Sequence, residues 1–134
     1  MLALDTNTVS YFFRDDPHVV PRMLALSPSD IVIPTVVAYE LRYGLRRLPP
    51  EASAPRLEAL EAFLMPLRIV PFDAGCAANA AAIRADLEVL GTPIGAHDVM
   101  IAATVRASGA TLVTRNVREF SRVSGLSVVS WHPH

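Results

Sequence analysis

Residues 1–14 read MLALDTNTVSYFFR, and their order decides the fold. Met1–Asp5 is a short apolar run that ends in an acid, as expected of a buried strand. Thr6 to Arg14 follows at once with helical character. The same alternation continues along the chain. Asp16-Pro17 opens a second helix to about Leu26, with proline in its first turn. Ile31–Pro34 (IVIP) is a second apolar strand stopped by its proline, and Thr35 is placed to N-cap a helix from Val36 to about Arg47. Pro49-Pro50 ends that helix. A further helix from about Ser53 to Leu64 leads into a third strand, Arg68–Phe72 (RIVPF). Asp73 caps a long helix, Ala74 to Leu90, closed by Gly91. Another helix runs from Ala96 to about Ser108 and is closed by Gly109. Thr111–Thr114 (TLVT) is the fourth strand, Asn116 to Arg122 a short helix, and Leu126–Ser130 (LSVVS) the fifth strand. Nearly continuous apolar strands that alternate with helices imply a parallel sheet covered on both faces. The expectation is one compact α/β domain over residues 1–134, with no repeat, linker or low-complexity segment.

Composition narrows the chemistry. The chain has 134 residues, of which 51% are hydrophobic and 19% charged. No apolar run approaches the ~18 residues that span a bilayer, and no signal-peptide pattern opens the chain, so a soluble cytoplasmic protein is expected. One cysteine, Cys76, leaves no CxxC pair and reads as a small buried hydrophobe. Net charge is −1, which does not describe a general polyanion binder. All twelve basic residues are arginine. The absence of lysine excludes Walker-A phosphate binding, Schiff-base chemistry and Ser–Lys nucleophiles.

Three acids stand where acids are costly. Asp5 closes the first strand, and in open parallel sheets ligands bind outside the carboxyl ends of strands; an N-cap for the next helix is the plainer duty. Glu40 shares its helical stripe with Val36, Val37 and Gly44, near Leu41 and Leu48, while Arg42 and Arg46 project elsewhere. Asp98 lies in a first helical turn on a stripe of Ile94, Ile101, Ala102 and Val105, where the helix dipole also favours an anion. A carboxylate on an apolar stripe needs a compensating charge, and a shared cation would supply it. A carboxylate-only site selects hard ions, Mg²⁺ or Mn²⁺, and these serve phosphoryl chemistry. Thr114-Arg115-Asn116 ends the fourth strand at the same edge, where Asn116 could orient a water and Arg115 could touch phosphate. Glu119, one turn further, is either a fourth carboxylate or an ordinary surface acid. Asp86 also has apolar neighbours at helical spacing, Ile83 and Leu90, so the stripe criterion does not select the site alone.

Four segments, LDTNTVS at 4–10, VVAYELRYG at 36–44, GTPIGAHDVMIAAT at 91–104 and LVTRNVREFSRVSGL at 112–126, together resemble a known family. They are similar to the PIN-domain nucleases, and in particular to the VapC-type toxins of bacterial toxin–antitoxin pairs. The resemblance covers essentially the whole chain. It implies a three-layer α/β/α domain with a five-stranded parallel sheet, and Mg²⁺- or Mn²⁺-dependent cleavage of RNA by an activated water. It also implies a homodimer held inactive by a VapB-like antitoxin. Residue by residue, it assigns metal-binding carboxylates to Asp5, Glu40 and Asp98. The fourth family position, often Asp, is Asn116 here, with Glu119 nearby as a possible substitute. Thr6, Asn7 and Thr114 match supporting positions that would orient the carboxylates.

Other polar and aromatic residues have plainer readings. His97 is expected at the surface and His132 and His134 in a frayed segment. Arg14, Arg42 and Arg46 suit either an RNA groove or solvated helix faces. Tyr11, Phe12, Phe13, Tyr39 and Tyr43 are expected in the core or a dimer interface. Three rivals share the acidic crevice: a phosphatase opening on Asp5-Thr6-Asn7-Thr8, a DNA nuclease, and a degenerate fold of this kind that only binds. The first lacks the second aspartate and the lysine that its chemistry needs.

Overall fold

The computed structural model describes residues 1–133; His134 lies outside the described residues. Its five strands are β1 (Leu2–Leu4), β2 (Ile31–Pro34), β3 (Arg68–Val70), β4 (Thr111–Val113) and β5 (Val128–Val129). All pair in parallel, in the order β3-β2-β1-β4-β5. Seven helices connect them: α1 (Thr6–Phe13), α2 (Val20–Leu24), α3 (Thr35–Arg46), α4 (Pro50–Leu64), α5 (Ala74–Val89), α6 (Ala96–Ser108) and α7 (Val117–Phe120). This is the expected α/β architecture with a five-stranded parallel sheet. The chain steps outward from β1 to β3, then crosses back to β4 on the other side of β1. With right-handed crossovers, that reversal sends the connections before and after it to opposite faces.

The central strands are buried because both faces are covered. Ala3, Leu4, Ile33 and Leu112 are fully inaccessible, and every residue of β2 is buried. At the edges, Ile69 of β3 and Val129 of β5 remain partly exposed. Each fully buried leucine or isoleucine contributes about 1.5–3 kcal/mol by burial. Phe120, Leu60 and Ile101 bring α7, α4 and α6 into the same core.

Helix boundaries follow their caps. Asp5 and Asp73 accept hydrogen bonds from the backbone N–H groups of Thr8 and Cys76. Gly109 ends α6 with φ of 76°, a left-handed conformation that strains any side chain. Several expectations shift. The helix anticipated from Asp16 begins only at Val20, because Asp16 accepts from its near neighbour His18 N and holds 16–18 as a turn. Thr35 is not the cap of α3, a position taken by Pro34. Its hydroxyl donates instead to Val70 O and accepts from Phe72 N, tying α3 to the end of β3. Pro50 starts α4 as a first-turn proline, three residues earlier than expected. The helix anticipated over 116–122 shortens to α7. The strands expected to reach Asp5, Phe72 and Thr114 end before those residues, and β5 is two residues long.

Replacing Leu112 by Ala should cost about 2–5 kcal/mol of unfolding free energy in urea, while Val129→Ala on the exposed edge should cost under about 1 kcal/mol. Equal losses would contradict this placement of the core.

Candidate active site

The direction reversal lies between β1 and β4, and the carboxyl ends of these two strands open a crevice there. Asp5 follows β1 and Thr114 follows β4. Asp5 is 5% exposed. One of its oxygens accepts from Thr8 N at 2.8 Å and the other from the Thr114 hydroxyl at 2.6 Å. The Thr8 hydroxyl donates to Val113 O at 3.1 Å, closing a loop of bonds around the two strand ends. Burial pushes the Asp5 carboxyl above its ordinary pKa; the bonds from Thr114 and Thr8 oppose this, and the charge of Glu40 adds to it. Asp5 is thus a helix cap and a crevice carboxylate at once.

Glu40, in mid-α3, meets this edge from the side. Its side chain is 26% exposed, with Oε1 accepting from the Thr6 hydroxyl at 2.6 Å and Oε2 lying 3.2 Å from His97 Nδ1. The apolar stripe read for Glu40 is only partly buried: Val37 and Leu41 are inside, whereas Gly44 and Leu48 face solvent. Glu40 therefore sits at the margin of the buried face. Its partners come from α1 and α6, which stripe reading could not supply. His97 is exposed, as expected, yet it is also Glu40's neighbour. Its adjacency to Asp98 was the available signal.

Asp98 is half-buried in the first turn of α6, above Ile101, Ala102 and Val105, which are all buried. Its carboxylate folds back towards Gly95, where an added Cβ would meet Oδ2 at 3.5 Å. Among the described residues it has no side-chain hydrogen-bond partner. Its pKa is pushed up to about 6, first by burial and then by the charges of Glu40, Asp5 and Glu119, with His97 opposing. The fold thus brings four carboxylates within electrostatic reach of one another. Glu119 is half-buried on α7 and belongs to this group rather than to the open surface. Asn116 sits at the N-cap of α7, its N–H donating to the Thr114 hydroxyl at 3.0 Å, while its side chain makes no capping bond. Asp86, which met the same stripe criterion, is exposed on α5.

As placed, no three His, Cys, Asp or Glu side chains among the described residues converge closely enough to grip an ion. Asp5 and Glu40 turn their oxygens to neighbouring donors. The donor set is anionic oxygen throughout, a chemistry that suits a hard divalent ion.

Beside the crevice, α1, α3 and α4 enclose a groove of about 630 Å³. Asn7, Arg14, Glu40, Gly44, Arg47 and Arg56 line it. Arg42 is not available there, since it pairs with Glu61 at 2.7 and 3.0 Å. The aromatics fall into two groups. Phe12 and Phe13 cluster with Phe63, whereas Tyr39 and Tyr43 are 54% and 56% exposed and stack on each other at 6.3 Å. His132, expected in a frayed segment, is buried against Asp16 at 3.0 Å.

A PIN domain family model matches residues 2–126. The chain is 34% identical to the tRNA(fMet)-specific endonuclease VapC of Salmonella typhimurium over 129 residues, 96% of each protein. It is also 34% identical to Toxin FitB of Neisseria gonorrhoeae over 138 residues, covering 98% of this chain and 99% of that protein. The crystal structure of DNA-bound VapBC from Salmonella typhimurium superposes with a TM-score of 0.88, at 32% identity and 98% coverage of both chains. The likeness holds in sequence as well as in shape over nearly the whole chain, and the chain belongs to the PIN-domain family, among its VapC-type members.

Proposed function

We propose that this chain is a divalent-metal-dependent endoribonuclease, the toxin half of a VapBC-like pair, neutralised by a VapB-like antitoxin and working as a homodimer. The observation that carries the reading is Asp98: a half-buried carboxylate without a donor, in the field of three other carboxylates, calls for a cation. The endonuclease name of one relative and the toxin name of another support the choice of RNA and of a toxin. Asp5, Glu40 and Asp98 would hold Mg²⁺ or Mn²⁺, with Asn116 or Glu119 completing the set. A bound ion of this kind supplies Lewis-acid polarisation of a phosphodiester and makes water a better nucleophile at neutral pH.

The protein's own contribution is to hold these groups in place. Thr8 and Thr114 fix both oxygens of Asp5, and Thr6 and His97 fix those of Glu40. These bonds restrain the carboxylates before substrate arrives. The Thr114 hydroxyl also accepts from Asn116 N, which sets where the amide of Asn116 starts its reach into the crevice. Among the described residues, no helix is long and apolar enough to cross a membrane.

Antitoxin-free protein with Mn²⁺ should cleave RNA, and Asp5→Asn or Asp98→Asn should remove that cleavage while the protein stays folded by circular dichroism. Full cleavage by either variant would overturn the reading. Thr114→Val should keep the metal ligands but lower activity about 10–100-fold, because Asp5 loses the donor that aims it.

Stability should carry the same signature. The Asp98 pKa of about 6 lies above its ordinary 3.8. The folded, metal-free protein therefore binds that proton more tightly than the unfolded chain. Its stabilising effect is present at low pH and is lost as pH rises from about 4 to about 6. In EDTA, Asp98→Asn should therefore melt higher than wild type at pH 7.5, and the gap should narrow at pH 4. Mn²⁺ at pH 7.5 should raise the wild-type melting temperature and leave the variant nearly unmoved. A gap independent of pH would show that the Asp98 charge is not the cause.

A further inference from the structure

At the C-terminal end of α1, a run of contacts joins residues distant in sequence. His132 Nε2 lies 3.0 Å from Asp16 Oδ2, with the two side chains only 6% and 16% exposed. Ser130 braces this segment: its hydroxyl donates to His132 O and accepts from His132 N. The Tyr11 ring packs against the His132 ring at 4.9 Å. On Tyr11 in turn rests the guanidinium of Arg115, its Cζ 5.6 Å from the ring centroid and Nη1 3.5 Å from the phenol oxygen. Arg115 is exposed, and among the described residues it forms no ion pair. In the chain it stands between Thr114, which holds Asp5, and Asn116, whose N–H donates to the Thr114 hydroxyl.

Arg42 and Arg84 are paired with Glu61 and Glu88, and Arg56, Arg106 and Arg122 donate to backbone carbonyls. Arg47 also rests on an aromatic ring, 5.8 Å from the centroid of Tyr43, but at the C-cap of α3 and away from the strand ends. Arg115 is held by an aromatic face, which restrains a guanidinium without cancelling its charge. Nη1 gives one N–H to the Tyr11 hydroxyl, and the remaining donors of the fork are left to grip a phosphate. A phosphodiester entering a crevice of carboxylates meets repulsion, and a cation carried by the residue that follows Thr114 would offset it.

We propose that Arg115 is the substrate-phosphate contact of this crevice, and that Tyr11, braced by the His132–Asp16 pair, is the residue that positions it. The proposal rests on the ribonuclease reading above and names the group by which RNA would be held. Tyr11 acts only through Arg115, so its loss should cost nothing further once Arg115 is gone.

The test is fluorescence anisotropy of a 5′-labelled, mixed-sequence, single-stranded 12-mer oligoribonucleotide in EDTA, from 50 to 200 mM KCl. Arg115→Ala should weaken binding about tenfold and reduce the slope of log affinity against log salt by about 0.7, one phosphate contact on a single strand. Arg115→Lys should keep the slope and bind less tightly than wild type, since an ammonium is a point charge without the planar fork. Tyr11→Leu should bind several-fold more weakly with the slope retained, and the double variant should equal Arg115→Ala. Tyr11→Phe, which keeps the ring, should stay close to wild type and serves as the control for folding around position 11. With Mn²⁺, Arg115→Ala should raise KM more than it lowers kcat. Affinity within twofold of wild type and an unchanged salt slope in Arg115→Ala would overturn the proposal, while retained cleavage by that variant would leave the ribonuclease reading standing. A wild type that neither binds nor cleaves the oligoribonucleotide would overturn both.

Discussion

The 2.6 Å hydrogen bond from the Thr114 hydroxyl to Asp5 holds the crevice together. It joins the first residues beyond β1 and β4, where the chain's reversal of direction leaves the sheet edge open. Burying a carboxylate there is unfavourable unless donors surround it, and the fold supplies two. The same hydroxyl then accepts from Asn116 N, so one threonine aligns a carboxylate on one strand with an amide on the next. Glu40 is treated alike by Thr6 and His97. Asp98 has no such donor among the described residues, and burial together with the neighbouring carboxylates raises its pKa to about 6.

Much of this was legible in the sequence, and the reasons are local ones. Apolar runs mark the central strands because both sheet faces are covered. Asp5, Asp73 and Gly109 announce helix ends through chemistry that acts within three or four residues. Asp98 was marked, together with Asp86, by an apolar stripe at helical spacing, and its Ile101, Ala102 and Val105 are buried as that period requires. Asp5 was marked by its place at the end of an apolar strand.

What could not be read depends on contacts between distant elements. Glu40 meets Thr6 across 34 positions and His97 across 57, and no local pattern encodes either. The stripe at Asp86 looked as good as that at Asp98, because periodicity reports which residues share a face but not what that face is packed against. His132 was misjudged for the same reason: its burial comes from Asp16, 116 positions away. Tyr39 and Tyr43 have the hydrophobicity of core residues and the phase of an exposed helix face. Phase decided their place.

The bond between Asp5 and Thr114 spans 109 positions. A growing chain on the ribosome exposes Asp5, Glu40 and Asp98 well before β4 has been made, yet β4 must pair beside β1 before the first carboxylate is held. Such long-range pairing comes late, since its loop-closure cost falls due before its contacts form. The crevice is therefore assembled only after Thr114 has been synthesised. Fragments truncated before residue 111 lack β4 and Thr114 altogether, so they carry the acids without the frame that arranges them.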